Sequence, residues 1–107
     1  MAAVWLQRCG WVILARNWRC REGEVDIVAR DPDGVTVVCE VKCRRGDAFG
    51  DPLESITYEK VRRLRRLAAA WASAQERPVG RLRVDAVGVR TFADGTSAIT
   101  HVRGLEP

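Results

Sequence analysis

The sequence predicts an α/β fold, a mixed sheet flanked by helices, from three observations. Two alternating segments, 23–30 and 35–42, are joined by a turn and predict an antiparallel hairpin. An amphipathic segment that begins after Thr57 and ends before Pro78 predicts a helix. Alternation resumes over 81–90, and a strand, helix, strand order implies a right-handed crossover with parallel pairing.

Three further elements complete the predicted order. Residues 2–8 are expected to form a short helix, and residues 11–18 a first strand rich in β-branched and aromatic side chains. Residues 97–103 are expected to form a short edge strand after a turn. Trp11 and Trp18 are interpreted as core residues in preference to base-stacking residues.

Length and charge restrict the possible functions. A chain of 107 residues fits one domain, 1–107, with a modest core. The net charge is +4, and sixteen of the eighteen basic residues are arginine, a side chain suited to phosphate recognition. No apolar run approaches the roughly 20 residues of a membrane span, so we expect a cytoplasmic protein without membrane contact.

The cysteines and the single histidine do not predict a zinc site. The four cysteines form no C-x-x-C pair, and His101 adds no recognisable ligand spacing. His101 is interpreted as a surface or structural residue and not as a catalytic base. Asp85, in the fourth predicted strand, could lie near a functional site, but is interpreted first as the partner of an arginine.

The turn between the hairpin strands sets their register. Pro32 suits the first corner of a type I turn, and Gly34 suits the left-handed position that follows, which gives a three-residue loop closed by Asp31 and Val35. A two-residue turn would shift the pairing by one residue and reverse the faces. The predicted register therefore depends on Gly34.

That register brings four ionisable side chains to one face. Asp26 is expected opposite Glu40, and Glu24 opposite Lys42. Two facing carboxylates are destabilising unless a positive charge lies between them, and either Lys42 or a divalent metal could supply it. The alternative is a solvated face with exposed ion pairs, each contributing about 0–1 kcal/mol.

These residues also resemble a known signature. Asp26, thirteen intervening residues and then Glu40-Val41-Lys42 are similar to the PD-(D/E)XK nuclease pattern. Blocks over nearly the whole chain resemble the YraN-like family of small bacterial endonuclease-like proteins: ILARNWR at 13–19, GEVD at 23–26, EVK at 40–42 with Arg44 and Arg45, and FGDP at 49–52. The resemblance implies a restriction-endonuclease-like αβββαβ core.

The resemblance also implies a function and a set of roles. Asp26, Glu40 and the Val41 carbonyl would hold one or two Mg²⁺ or Mn²⁺ ions, with Glu24 as an outer or second-metal acid. Lys42 would orient or help deprotonate the attacking water. The expected reaction is hydrolysis of phosphodiester bonds in nucleic acid, most plausibly DNA, and similarity to junction-cutting nucleases implies a homodimer.

One feature of the family is absent from this sequence. Its members usually carry a longer first helix with a glutamate that can approach the metal site, and this chain starts after that position. Either the start is truncated or reassigned, or the site works with fewer acids.

Five arginines are candidates for holding nucleic-acid phosphates. Arg44 and Arg45 follow the proposed metal face directly, while Arg62, Arg63 and Arg66 lie on the predicted helix. Like charges at this density repel one another unless a polyanion binds, but a solvated basic face is the alternative. Two other functions therefore remain open, a nucleic-acid-binding protein with a vestigial nuclease site and a small protein-interaction module.

Overall fold

The computed structural model describes residues 1–46 and 51–106, which form two α-helices, a short 3₁₀ helix and one five-stranded mixed sheet. The order along the chain confirms the predicted α/β class and the αβββαβ core. The strands lie in the order β1-β2-β3-β4-β5, and the β3–β4 pair is parallel. The elements are α1 (Ala2–Arg8), β1 (Val12–Cys20), β2 (Gly23–Arg30), β3 (Thr36–Arg45), the 3₁₀ helix (Pro52–Ser55), α2 (Tyr58–Ser73), β4 (Leu82–Thr91) and β5 (Ser97–Val102).

The sheet carries a hydrophobic cluster on each face, one under α1 and one under α2. We call these sides the α1 face and the α2 face. The cluster of the α1 face includes Leu6, Ile27, Val37, Cys39 and Val87. That of the α2 face includes Val28, Val38, Leu64, Leu67 and Val84. β2 and β3 are covered on both sides, and consecutive residues of each are therefore buried, Ile27–Ala29 in β2 and Val37–Cys39 in β3.

α2 follows the sequence pattern closely. The Thr57 hydroxyl accepts a hydrogen bond from the Lys60 N–H at 3.2 Å and caps the helix. The predicted apolar stripe is buried in full and packs over β2, β3 and β4: Val61, Leu64, Leu67, Ala68 and Trp71. The helix ends at Ser73, slightly before the predicted Gln75. None of the helices in the described part of the chain is long and apolar enough to cross a membrane.

The hairpin has the predicted turn, and the predicted register holds for the four residue pairs next to it. Gly34 has a φ of 84°, and the Asp31 N–H donates to the Val35 carbonyl at 2.9 Å. The Asp31 carboxylate also accepts from the N–H groups of Asp33 and Val35, each at 2.9 Å. Backbone pairing of β2 with β3 runs from Arg30–Thr36 to Ile27–Cys39, as a three-residue loop requires.

Two stretches differ from the sequence prediction. β1 begins at Val12, one residue after the predicted start, and it contains a bulge between Ile13 and Ala15. Trp11 precedes the strand and is buried, so its predicted core role is confirmed. The stretch after β3, for which the sequence predicted no helix, contains the 3₁₀ helix, and the Asp51 side chain caps it by accepting from the Leu53 N–H. Residues 47–50, which include the first half of the FGDP block, lie outside the described residues.

Candidate functional site

β2 changes face at Asp26. Alternate residues of a regular strand share a face, yet Val25 packs in the α2 cluster while Ile27 packs in the α1 cluster. The backbone ladder with β3 ends with the pair of Ile27 and Cys39, and the Asp26 side chain continues it: Oδ2 accepts from the Val41 N–H at 2.8 Å. This bond fixes the carboxylate between the two strands.

Glu40 lies against this carboxylate. Its burial, a hydrogen bond with Asp26 and the charge of Asp26 raise the pKa of Glu40 to about 7, while the charges of Lys42 and Arg63 act in the opposite direction. The Glu40 side chain is 17% exposed, and the Lys42 Nζ lies 3.9 Å from Glu40 Oε1. At neutral pH the Glu40 carboxyl group is therefore protonated for part of the time.

Glu24 has a different partner from the one expected. Its Oε2 accepts from the Arg19 Nε at 3.0 Å, across the β1–β2 pair. The predicted convergence of four ionisable groups is therefore wrong for Glu24, whose side chain forms an ion pair with β1. The cause is the extension of β1 to Cys20, which brings Arg19 beside Glu24.

The three helical arginines of the predicted nucleic-acid set are exposed on α2. Arg63 is close enough for its charge to act on Glu40, which places this side of the helix beside the carboxyl pair. The Arg62 guanidinium lies over the ring of exposed Tyr58, 5.8 Å from its centroid. Arg66 is also exposed, so α2 presents a basic outer surface next to the candidate site.

Arg44 and Arg45 lie at the end of β3. Arg44 is half-buried and Arg45 is exposed. In the parallel register they neighbour Arg90 and Thr91 of β4, and the Arg90 guanidinium donates to the Gly46 carbonyl at 3.0 Å. The strand end after the carboxyl pair is therefore basic on both strands.

The donor set suits a hard divalent cation but is small. Asp26 and Glu40 supply carboxylate oxygens, and the Val41 carbonyl is the third group that the sequence proposed. Within 1–46 and 51–106, no group of three or more His, Cys, Asp or Glu side chains is arranged to hold a metal. A cation could replace the proton on Glu40, with water and substrate phosphate completing its shell.

A second polar cluster lies on β4, with Asp85 at its centre. Asp85 is fully buried. Its carboxylate accepts two hydrogen bonds from the Arg83 guanidinium, at 2.8 and 3.0 Å, and one from the Gly104 N–H at 3.0 Å. The His101 Nε2 lies 2.8 Å from Asp85 Oδ2. Burial raises the pKa of Asp85, but these hydrogen bonds and the Arg83 charge outweigh it, so the pKa is lowered. Arg83 also donates to Asp31 at 3.0 Å. The predicted arginine partner of Asp85 is confirmed.

Comparison with known proteins assigns the chain to a family. The model of an uncharacterised protein family, UPF0102, matches residues 1–89. The chain belongs to the UPF0102 family. The YraN-like resemblance of the sequence is thereby confirmed.

Relatives of similar sequence are found in species of Streptomyces and Mycobacterium. The UPF0102 chain is 50% identical over 107 residues to UPF0102 protein SCO5602 of Streptomyces coelicolor, an alignment that covers 98% of this chain and 82% of that one. It is 48% identical over 101 residues to a UPF0102 protein of Mycobacterium avium, covering 94% and 79% of the two chains.

Two solved structures are similar to the UPF0102 chain. EndoMS, in the EndoMS-dsDNA2 complex, is 21% identical with a TM-score of 0.48, over 89% of this chain and 36% of that one. A repair endonuclease from Pyrococcus abyssi is 22% identical with a TM-score of 0.45, over 86% and 35%. The UPF0102 chain therefore spans about a third of each of these proteins.

The structure also adds a residue to the candidate site of the UPF0102 chain. Asn17 has a left-handed φ of 50° and lies between the pairs Arg16–Ile27 and Trp18–Val25, beside Asp26. Asn17 and Asp26 both line an open cavity of about 370 Å³ on the α1 face, together with Met1, Ala2, Arg16, Val41 and Cys43. The signal in the sequence is the residue type, since asparagine adopts left-handed backbone more readily than most residues.

Proposed function

We propose that this chain is a divalent-metal-dependent nuclease that hydrolyses phosphodiester bonds in DNA. The observation that carries the proposal is the carboxyl pair of Asp26 and Glu40 beside Lys42. The fold holds the two carboxyl groups together, although burial and the neighbouring Asp26 raise the pKa of Glu40 to about 7. A carboxyl group whose pKa is strongly raised by burial and by a neighbouring charge is typical of functional sites.

Asp26 and Glu40 would hold Mg²⁺ or Mn²⁺, one ion or two, with the Val41 carbonyl as a further ligand. The bond from the Val41 N–H holds Asp26 Oδ2 in place, so the carboxylate needs little rearrangement to bind a cation. When bound, the cation would lower the pKa of a water molecule and stabilise charge on the leaving oxygen. Glu24 is left out of this set, because its Oε2 is paired with the Arg19 Nε at 3.0 Å.

Lys42 and the arginines would bind the substrate phosphates. Lys42 is partly buried, which favours a fixed position for its ammonium group near an attacking water. Arg63 lies beside Glu40, and the other candidates flank it on α2 and at the end of β3: Arg44, Arg45, Arg62 and Arg66. Guanidinium groups suit the geometry of phosphate oxygens and retain their charge at all relevant pH values.

Cleavage of duplex, single-stranded and branched DNA with Mg²⁺ or Mn²⁺ tests the proposal. Asp26→Asn, Glu40→Gln and Lys42→Met should each lower the rate by at least about a hundredfold. Lys60→Met is a matched control, because Lys60 is the only other lysine of the chain and bonds to the Ser55 carbonyl. Cleavage by Asp26→Asn at the wild-type rate would exclude this site as its origin.

One observation supports a second candidate, nucleic-acid binding without cleavage. The part of the chain that the structure describes holds no three-ligand metal group. A binder of this kind would use the same arginines, and its affinity would fall steeply with salt, with a slope of about 0.9 for each phosphate contact.

Binding measurements against salt distinguish this candidate. Arg63→Gln should reduce the salt slope by about one, whereas Arg8→Gln, an exposed arginine on α1, should leave it unchanged. Affinity that falls steeply with salt, without cleavage by either the wild type or Asp26→Asn, would favour the second candidate. Absence of both binding and cleavage would overturn both.

A further inference from the structure

The two edges of the sheet differ in how they are protected. β1 and β5 are the outermost strands. An edge strand presents unpaired N–H and C=O groups, and folded proteins usually block such an edge with charge, a bulge or a covering element.

The β1 edge carries several of these protections. A bulge between Ile13 and Ala15 interrupts its register, and Asn17 has left-handed backbone. Arg16 and Arg19 are exposed along the same strand. A strand so distorted and so charged is a poor template for further pairing.

Within residues 1–46 and 51–106, the β5 edge shows neither a bulge nor a charged side chain that would block it. The sequence of β5, SAITHV, contains no Asp, Glu, Lys, Arg or Pro, and its pairing with β4 is regular from Val102 to Ser97. α2 packs mainly over β2, β3 and β4, which leaves the α2 face of β5 largely exposed. Ala98 and Thr100 are exposed there, and Val102 is 41% exposed.

We propose that β5 pairs antiparallel with β5 of a second copy of this chain, so that two sheets join into one of ten strands. Of the surfaces through which two copies could meet, charge favours this edge. The chain carries a net charge of +4, and contact through α2 or the end of β3 would bring arginines against arginines. β5 is uncharged, and antiparallel pairing about a twofold axis is self-complementary.

This pairing fixes the relation of the two candidate sites. Each site lies between β2 and β3, and the two β3 strands would be five interstrand spacings apart, about 24 Å. Both α2 helices would lie on the same side of the joined sheet. Pairing through β5 requires no catalytic activity, so its test is independent of the test of the proposed nuclease.

Sedimentation of the full chain over a wide range of concentrations tests the pairing. The wild type should dimerise, and Thr100→Lys should weaken association by at least about tenfold, because two ammonium groups would meet near the twofold axis. Val12→Lys is the matched control on the other edge, where Val12 is 55% exposed, and should leave association unchanged. Amide exchange of residues 97–102 in the wild type should slow as the dimer forms.

Three results would overturn the proposal. They are a wild type that stays monomeric at the highest concentration, association that survives Thr100→Lys, and equal loss of association in Val12→Lys. The thermal midpoint of each variant shows whether it is folded. If Thr100→Lys is not folded, Ala98→Lys decides the question in its place, because Ala98 is exposed on the same face of β5.

Discussion

Replacing Glu40 by glutamine should remove most of the pH dependence of stability that the carboxyl pair creates. The ordinary pKa of a glutamate is 4.5, and burial beside Asp26 raises that of Glu40 to about 7. Between these values the folded state binds a proton that the unfolded state does not, so the free energy of unfolding falls as pH rises through this interval and is constant above it.

The size of the effect follows from the same shift. A change from 4.5 to about 7 corresponds to about 3 kcal/mol at full strength. The Glu40 side chain is 17% exposed, and contact with solvent reduces the expected loss to about 2 kcal/mol. Glu40→Gln cannot ionise, so above about pH 8 it should be more stable than the wild type by this amount.

Urea unfolding at a series of pH values, with chelator present, measures this difference. Glu106→Gln, an exposed glutamate near the chain end, controls for the loss of one negative charge. Equal slopes of stability against pH in the wild type and Glu40→Gln would refute the reasoning. Excess Mg²⁺ should stabilise the wild type increasingly as pH rises through about 7, because the cation replaces the proton, and should act less on Glu40→Gln.

Three further substitutions test the fold around the site, each by urea unfolding. Gly34→Ala should cost about 1 kcal/mol, since its φ of 84° is unfavourable for alanine although no atom lies within 4 Å of the added methyl. Gly88→Ala should cost about 1–3 kcal/mol, because its methyl would lie 3.1 Å from the Leu53 side chain; a neutral result would mean that the 3₁₀ helix shifts freely. Asp85→Asn should cost about 3 kcal/mol by leaving Arg83 partly unpaired, with the loss greatest at neutral pH and smaller on acidification below about pH 4, since the pKa of Asp85 is lowered.

Local patterns were sufficient to predict most of the fold. Pro32 and Gly34 specify one turn, and the turn specifies the register of the pairs from Arg30–Thr36 to Ile27–Cys39. Asp26 and Glu40 follow this last pair directly and lie against each other. The α2 stripe is equally local, since spacing alone identifies which residues face the sheet. Such features depend on neighbours a few residues away and can be read from the sequence.

The features that escaped prediction depend on strand geometry or distant partners. The change of face between Val25 and Ile27 coincides with the bond of Asp26 to Val41, fifteen residues away. The ion pair between Glu24 and Arg19 depends on how far β1 extends along β2. No periodicity in the sequence distinguishes an acid that bonds to its neighbouring strand from one that faces solvent. The roles of Asp26, Glu40 and Lys42 in catalysis remain predictions.

The bond between Arg83 and Asp31 has a consequence for how the candidate site is assembled. The turn between β2 and β3 is made early in synthesis. Arg83, which donates to the Asp31 carboxylate in this turn, follows 52 residues later. Arg83 also binds Asp85, which contacts His101 and Gly104 near the chain end. The hairpin therefore reaches its final rigidity only after the last strands have docked. A ribosome-bound fragment that stops after α2 would carry every acid of the site but would lack the contact of Arg83 with the Asp31 carboxylate in the turn.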